Sequence, residues 1–313
     1  MTMEGQMARP PTIAGRARRE GLIFGECLFD HFPDGDRVGG APLNVARHLW
    51  ALGQQPLLVS RVGQDAWGAR IRALLGDWGM DARALQEDPI RPTGRVEVLP
   101  DAVLGHQFRI LPRQAYDRIA WPAQLPALSR IAFLYHGTLA LREPGSRGTW
   151  ERLTGQSDWR FVDLNLRAPW WTSDLLATVL PGTRVLKLNA DELETLAQVF
   201  SLQGGGRQSR VADLAQRFAI GEVVITHGAE GAAAWAGGRW QECPAPVVKI
   251  QDTVGAGDAF AAVWMTGILR GWPVDLRLAR AQALAAAICA IRGALPSEPA
   301  FYSPFLRDWG LQP

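Results

Sequence analysis

Residues 252–258 read Asp-Thr-Val-Gly-Ala-Gly-Asp. Gly255 and Gly257 flank the small Ala256, and a long apolar stretch of helical character begins at about Asp258. Glycines let a backbone bend and turn successive N–H groups toward one point. A helix start adds unpaired donors and the positive end of a dipole. Together, the Gly255, Ala256 and Gly257 amides are expected to form an anion hole for a phosphoryl group in flight. A carboxylate placed there is repelled by phosphate unless it has a task. The natural task for Asp258 is to take the proton from an attacking hydroxyl, a contribution of about 10²–10⁴-fold. Aspartate is also an ordinary helix cap. This segment alone leaves both uses open.

Such groups need a frame. After residue 20 the chain alternates short apolar runs with amphipathic stretches. Residues 22–28, 56–62, 131–135, 160–164, 184–188 and 222–226 read as strands. Residues 41–52, 66–78, 146–155, 172–179, 190–200, 210–219, 258–270 and 276–291 read as helices, with apolar residues three or four apart. Asp65 is placed to cap the second of these. Strand–helix alternation predicts a mostly parallel sheet covered on both faces. Residues 94–99 and 106–111 have no helix between them and read as a hairpin leaving that sheet. Gly204-Gly205-Gly206 follows no strand directly and reads as a surface loop. The expected fold class is therefore α/β, a three-layer α/β/α sandwich with a small β-element.

Composition narrows the function. The chain of 313 residues is 47% hydrophobic and 20% charged, with a formal net charge of +2. Basic and acidic residues are interspersed, which gives no stripe for nucleic acid. No apolar run reaches the roughly 18 residues that span a bilayer. Residues 1–20 hold basic residues and prolines without an apolar core, so they read as a flexible extension and not as a secretory signal. Cys27, Cys243 and Cys289 are too few and too far apart for a disulfide framework or a metal set. A reducing, cytoplasmic setting is expected.

The segment DTVGAGDAF at 252–260 resembles the C-terminal signature of the ribokinase-like (PfkB) carbohydrate kinases. Gly25-Glu26, Asp30 and Gly39-Gly40-Ala41-Pro42-Leu43-Asn44 resemble the same family's N-terminal segment. Asp163-Leu164-Asn165-Leu166-Arg167 resembles the fructokinase and 2-keto-3-deoxygluconate kinase branch more than ribokinase itself. The resemblance covers about 21–300 within a kinase domain of 21–313. It implies a ribokinase-like sandwich with a β-lid formed from about 31–40 and 92–112.

It also implies roles. Asp30, Gly39, Gly40 and Asn44 would bind sugar hydroxyls, and Arg167 would bind substrate oxygens or balance phosphate charge. Asn189, Thr226, Gly228, Gly231 and Gln282 would lie along ATP. Glu192, three residues after Asn189, would act on Mg2+ through water, although the same spacing also makes a helix capping box. A monovalent cation, K+, is implied near Asp252.

The expected function is ATP-dependent phosphorylation of a primary sugar hydroxyl, with fructose leading. Alternatives are 2-keto-3-deoxygluconate, ribose or a nucleoside, and, in another class, a non-catalytic sugar or nucleotide sensor. A homodimer through the lid is expected. One departure bears on the sugar: Pro100-Asp101-Ala102 stands where fructokinases commonly carry Asp-Gly-x-Arg.

Overall fold

The computed structural model describes residues 21–32, 35–101, 105–122 and 131–312. The expected extension at 1–20 lies outside these residues, as do 33–34 and 102–104 of the expected lid.

The chain opens with strand β1 (Gly21–Phe24), β2 (Leu28–Phe32) and β3 (Gly35–Gly39). Helix α1 (Ala41–Ala51), β4 (Leu57–Gly63), α2 (Ala66–Asp77) and β5 (Leu85–Asp88) follow. Next come β6 (Gly94–Asp101), β7 (Gly105–Ile110), β8 (Phe133–His136), α3 (Pro144–Gln156) and β9 (Arg160–Asp163). The middle of the chain continues with α4 (Ser173–Val179), β10 (Val185–Asn189), α5 (Ala190–Phe200), α6 (Arg207–Phe218) and β11 (Glu222–Thr226). A hairpin, β12 (Ala232–Ala236) and β13 (Arg239–Cys243), precedes α7 (Ala256–Leu269), α8 (Val274–Cys289) and α9 (Ser303–Trp309).

Among the described residues the main sheet runs β13-β12-β11-β10-β9-β8-β1-β4-β5. From β5 to β11 every neighbouring pair is parallel. The β12–β13 hairpin adds an antiparallel edge. Alternate residues of the buried strands feed two different cores, as a period of two requires. Ile23 and Val224 join the core under α1, α2, α7 and α8. Leu22, Phe24, Val223 and Ile225 join the core under α3, α4, α5 and α6. Two helical layers on one sheet make the expected α/β/α sandwich.

A second, four-stranded sheet runs β3-β2-β6-β7. Its β2–β6 pair is parallel and its other pairs are antiparallel. The continuous strand expected at 22–28 is instead two strands in two sheets. Gly25 makes the break: its φ is 146°, and a Cβ there would stand 2.5 Å from Pro42 Cγ. Three further strands, β5, β12 and β13, were not expected. β5 is a polar edge strand, and β12 reads Ala-Ala-Ala-Trp-Ala, a composition with little strand preference. Asp65 caps α2 as expected, accepting from the Gly68 N–H. The 204–206 glycines are exposed.

Candidate active site

The carboxyl ends of β8, β9 and β10 meet the start of α7. Parallel α/β sheets place ligands at such an edge. α7 begins at Ala256, two residues earlier than expected, with Gly255 as its N-cap in the left-handed region at φ 79°. A Cβ on Gly255 would lie 2.4 Å from the Ala294 Cβ, so the turn admits only glycine. Asp252 fixes this turn by accepting from the Val254 N–H (3.1 Å) and the Gly293 N–H (2.9 Å). The Ala256 N–H donates to the Thr253 carbonyl at 3.3 Å, while those of Gly257 and Asp258 are first-turn amides without an intrahelical acceptor.

Asp258 therefore sits inside the first turn and is not the cap. Its Oδ2 accepts from Asn44 Nδ2 at 2.8 Å, a contact between α7 and α1 across 214 positions of sequence. The residue as a whole is 9% exposed. Burial, then the neighbouring charge of Asp163, pushes its pKa up to about 7, against the Asn44 hydrogen bond and the charges of Lys187 and Arg167. A base tuned near neutrality is suited to proton transfer at that pH.

Beneath it lies a buried cluster. Lys187 Nζ donates to both Asp163 carboxylate oxygens, at 2.9 and 3.0 Å. Tyr135 donates to Asp163 Oδ2 at 3.3 Å. A Cβ on Gly257 would stand 3.2 Å from Lys187 Nζ, which puts the ammonium directly under the Gly255–Gly257 turn. Burial alone would lower the Lys187 pKa; the charge and hydrogen bonds of Asp163 outweigh it and leave it raised. Lys187 was not among the expected site residues. Its signal is a lone lysine in an otherwise apolar strand, Val-Leu-Lys-Leu-Asn.

The expected substrate residues converge on the same place. Asn44 is buried, with Nδ2 toward Asp258 and Oδ1 unpartnered. Asp30 Oδ2 is so close to Gly39 that a Cβ there would lie at 2.7 Å. Gly40 has φ 103°, and a Cβ on it would meet the Glu26 carbonyl at 2.5 Å. Gly40 is thus demanded by its positive φ and by close approach of the β1–β2 turn, while Gly39 leaves room for the Asp30 side chain on β2. Arg167 is exposed at the end of β9, and its charge acts on Glu26, Asp30 and Asp258 together. Burial raises Asp30 to about 6, opposed by Arg167, His31 and Arg37. Glu26 is a second residue that the sequence left unassigned. It is 5% exposed, its Oε2 has no partner, and burial pushes it to about 7.

Thr226, Gly228, Gly231 and Gln282 line one cavity of about 390 Å3, which reaches Ala256 and Gly257. Its apolar wall comes from the segment after β13, including Pro246, Val247 and Ile250. Val247 and Ile250 are exposed large apolar side chains. Sequence reasoning did not assign this wall, although the run Pro-Ala-Pro-Val-Val after a strand is a visible signal. Gln282 Nε2 donates to the Cys243 carbonyl at 3.4 Å. Asn189 does not line the cavity. It forms the capping box of α5: Asn189 Oδ1 accepts from the Glu192 N–H, and Glu192 Oε2 accepts from the Asn189 N–H. Glu192 Oε1 accepts from the Leu166 N–H. Among the described residues no group of three or more His, Cys, Asp or Glu could hold a metal ion by itself.

The profile of the pfkB family carbohydrate kinases matches residues 35–300. A curated fructokinase of Klebsiella pneumoniae is 29% identical over 297 residues, covering 88% of this chain and 95% of its own. A 2-dehydro-3-deoxygluconokinase of Thermoproteus tenax is 29% identical over 271 residues, covering 83% and 82%. Among solved structures, a sugar kinase of Pyrococcus horikoshii in complex with ATP superposes with a TM-score of 0.74 at 25% identity, covering 87% of this chain and 93% of that one. Because the profile takes in both the glycine pair beside Asp30 and the turn that opens α7, this chain belongs to the pfkB family of carbohydrate kinases and is a sugar kinase, a phosphotransferase.

Proposed function

We propose that this enzyme transfers the γ-phosphate of ATP to a primary hydroxyl of a sugar, with fructose as the leading substrate. The observation that carries the mechanism is the Asn44–Asp258 contact, which joins the substrate helix to the base at the phosphate-binding turn. Asp258 takes the hydroxyl proton. Asn44, Asp30, Gly39 and Gly40 orient the sugar, and Arg167 balances charge at its rim. The amides of Gly255 and Gly257, at the start of α7, receive the equatorial phosphoryl oxygens, and that of Ala256 joins them by leaving its 3.3 Å contact with the Thr253 carbonyl.

Thr226, Gly228, Gly231 and Gln282 flank the nucleotide, and Asn189 acts beside it through its cap with Glu192. The second sheet closes as a lid over the sugar and keeps water from the phosphate. A homodimer joined through those sheets, working in the cytoplasm, completes this reading. It is in keeping with the free Cys27, Cys243 and Cys289 and with the lack, among the described residues, of a helix long and apolar enough to cross a membrane.

Mg2+ fits a site where the nucleotide's own phosphates supply most ligands, since Glu192 is the carboxylate on hand and its oxygens already accept two backbone N–H bonds. Its chemistry there is to neutralise phosphate charge. Asp252 is the carboxylate beside which K+ would sit.

The sugar is tested by a phosphorylation panel of fructose, ribose, 2-keto-3-deoxygluconate and adenosine. Fructose is expected to give the largest kcat/KM. A panel in which 2-keto-3-deoxygluconate exceeds fructose reassigns the substrate. Failure of every acceptor while ATP still binds favours a sensor, a reading that the intact base at Asp258 opposes.

Asn44→Leu tests the base assignment through pH. The Asn44 hydrogen bond lowers the Asp258 pKa, so its loss raises that pKa further. The acidic limb of kcat/KM, which reports the free enzyme, is expected to move to higher pH. A change in KM with an unmoved limb would mean that another group titrates.

A further inference from the structure

Away from the cleft, a cavity of about 270 Å3 opens between the end of α1, the end of α2 and the segment leading into α9. Arg47 lines it and is 7% exposed. Its guanidinium lies 5.3 Å from the Trp78 ring centre and 5.5 Å from that of Tyr302. Among the described residues the Arg47 side chain has no ion pair and no hydrogen bond. Asp77 lines the same cavity and stays beyond ion-pair distance. Burial without a counter-charge pushes the Arg47 pKa down.

A guanidinium brings five N–H donors in one plane. The Arg47 nitrogens still reach the open cavity, where no protein group accepts from them, and the two aromatic faces hold the guanidinium plane ready to donate to a bound acceptor. The walls are preformed. Tyr302 is buried, and its hydroxyl is held by His48 Nδ1 at 2.8 Å. Trp50 closes another side. The volume is below that of most drug-sized sites, roughly 300–1,000 Å3, and below the 390 Å3 of the cavity beside Gly257, which favours a small ligand. The Asp77 carboxylate at the rim disfavours a dianion.

We infer that this cavity is a second binding site, separate from the active site, for a small organic monoanion with a planar apolar body, its carboxylate on Arg47 and its ring between the aromatic walls. Nothing in the proposed phosphoryl transfer uses Arg47, Trp50 or Tyr302.

The probe is benzoate, titrated calorimetrically into the full-length protein saturated with ADP, with inorganic phosphate as a second titrant. The expected result is saturable benzoate binding at one site per chain and weaker binding of phosphate. Arg47→Met is expected to weaken benzoate by about tenfold or more, the worth of one charge-assisted pair. Trp50→Ala keeps the cation, removes a wall and is expected to weaken benzoate severalfold. ADP binding by each variant reports folding. Absence of saturable benzoate binding, or wild-type affinity in a folded Arg47→Met protein, overturns the site. If Arg47→Met does not fold, unchanged affinity in Trp50→Ala overturns it. Phosphate binding as tightly as benzoate overturns the ligand class.

Discussion

Asp258→Asn lowers kcat by at least about 10²-fold, and by up to about 10⁴-fold if proton transfer is fully rate-limiting. Binding of ATP should be unchanged, because the substitution keeps the shape of the side chain and leaves the Gly255 turn alone. The amide oxygen that replaces the carboxylate can still accept from Asn44, so the contact between α1 and α7 persists. What is lost is the capacity to hold a proton at neutral pH. The wild-type profile carries the same information. With Asp258 raised to about 7, kcat/KM should fall on the acid side below that pH.

Stability should move the other way. A carboxyl whose pKa is raised in the folded state favours folding in its protonated form. That contribution is complete below the unfolded value and is lost as pH rises through the folded one, here between 3.8 and about 7. The Asp258→Asn variant has no such loss. It should melt no lower than wild type at pH 8, and higher if the repulsion from Asp163 is as strong as the burial suggests. An inactive variant that is also unstable would point to a damaged turn instead. Near-normal turnover in a stable variant would remove Asp258 from the mechanism.

The turn that carries Asp258 was legible because its requirements are local. Gly255 is needed for a positive φ just before Asp258 itself, whereas the close approaches of Gly39 and Gly40, to Asp30 and to the Glu26 carbonyl, are made across a strand turn and were read only as part of one motif. The cap alternative for Asp258 fell only in three dimensions, since α7 starts at Ala256 and Asn44 takes the carboxylate. At Asn189 and Glu192 the capping box is the geometry found. A sequence cannot separate that box from a ligand role, because both use one spacing on one turn.

Other features had no local mark. The Leu-Ile-Phe-Gly-Glu-Cys-Leu run is apolar nearly throughout, so the jump from one sheet to the other at Gly25 was hidden. β12 is formed by pairing with β11 and β13, and its alanines have little preference of their own. The wall beyond β13 is exposed apolar surface, which acquires meaning only beside Gly257 and Gln282. Glu26 was quoted as part of a motif, but its burial beside Asp258 and Arg167 depends on the whole sheet edge.

Asp163→Ala should cost about 3–5 kcal/mol of folding stability, the usual loss when one partner of a buried ion pair is removed. Lys187 is 4% exposed, and Asp163 is the only acceptor of its side-chain hydrogen bonds among the described residues. Without Asp163, the ammonium must either stay charged in a dry interior or give up its proton. Both are unfavourable, since burial already opposes the charged form. The pair also makes Gly257 a tight position: a Cβ there would stand 3.2 Å from the ammonium, which would have to shift by a few tenths of an ångström. Asp163→Ala combined with Lys187→Met tests this account. Removing both charges should recover more than half of the stability lost in Asp163→Ala, because neither charge is then left uncompensated. It should not recover turnover if the Gly255–Gly257 turn receives phosphate as proposed, because the positive charge beneath that turn is gone. Urea unfolding of the wild type, both single variants and the double variant measures the coupling, and kcat for the same four proteins measures the second claim. A loss below about 1 kcal/mol in Asp163→Ala would place the pair among weak, solvated contacts. Full activity in the double variant would leave Lys187 a purely structural cation.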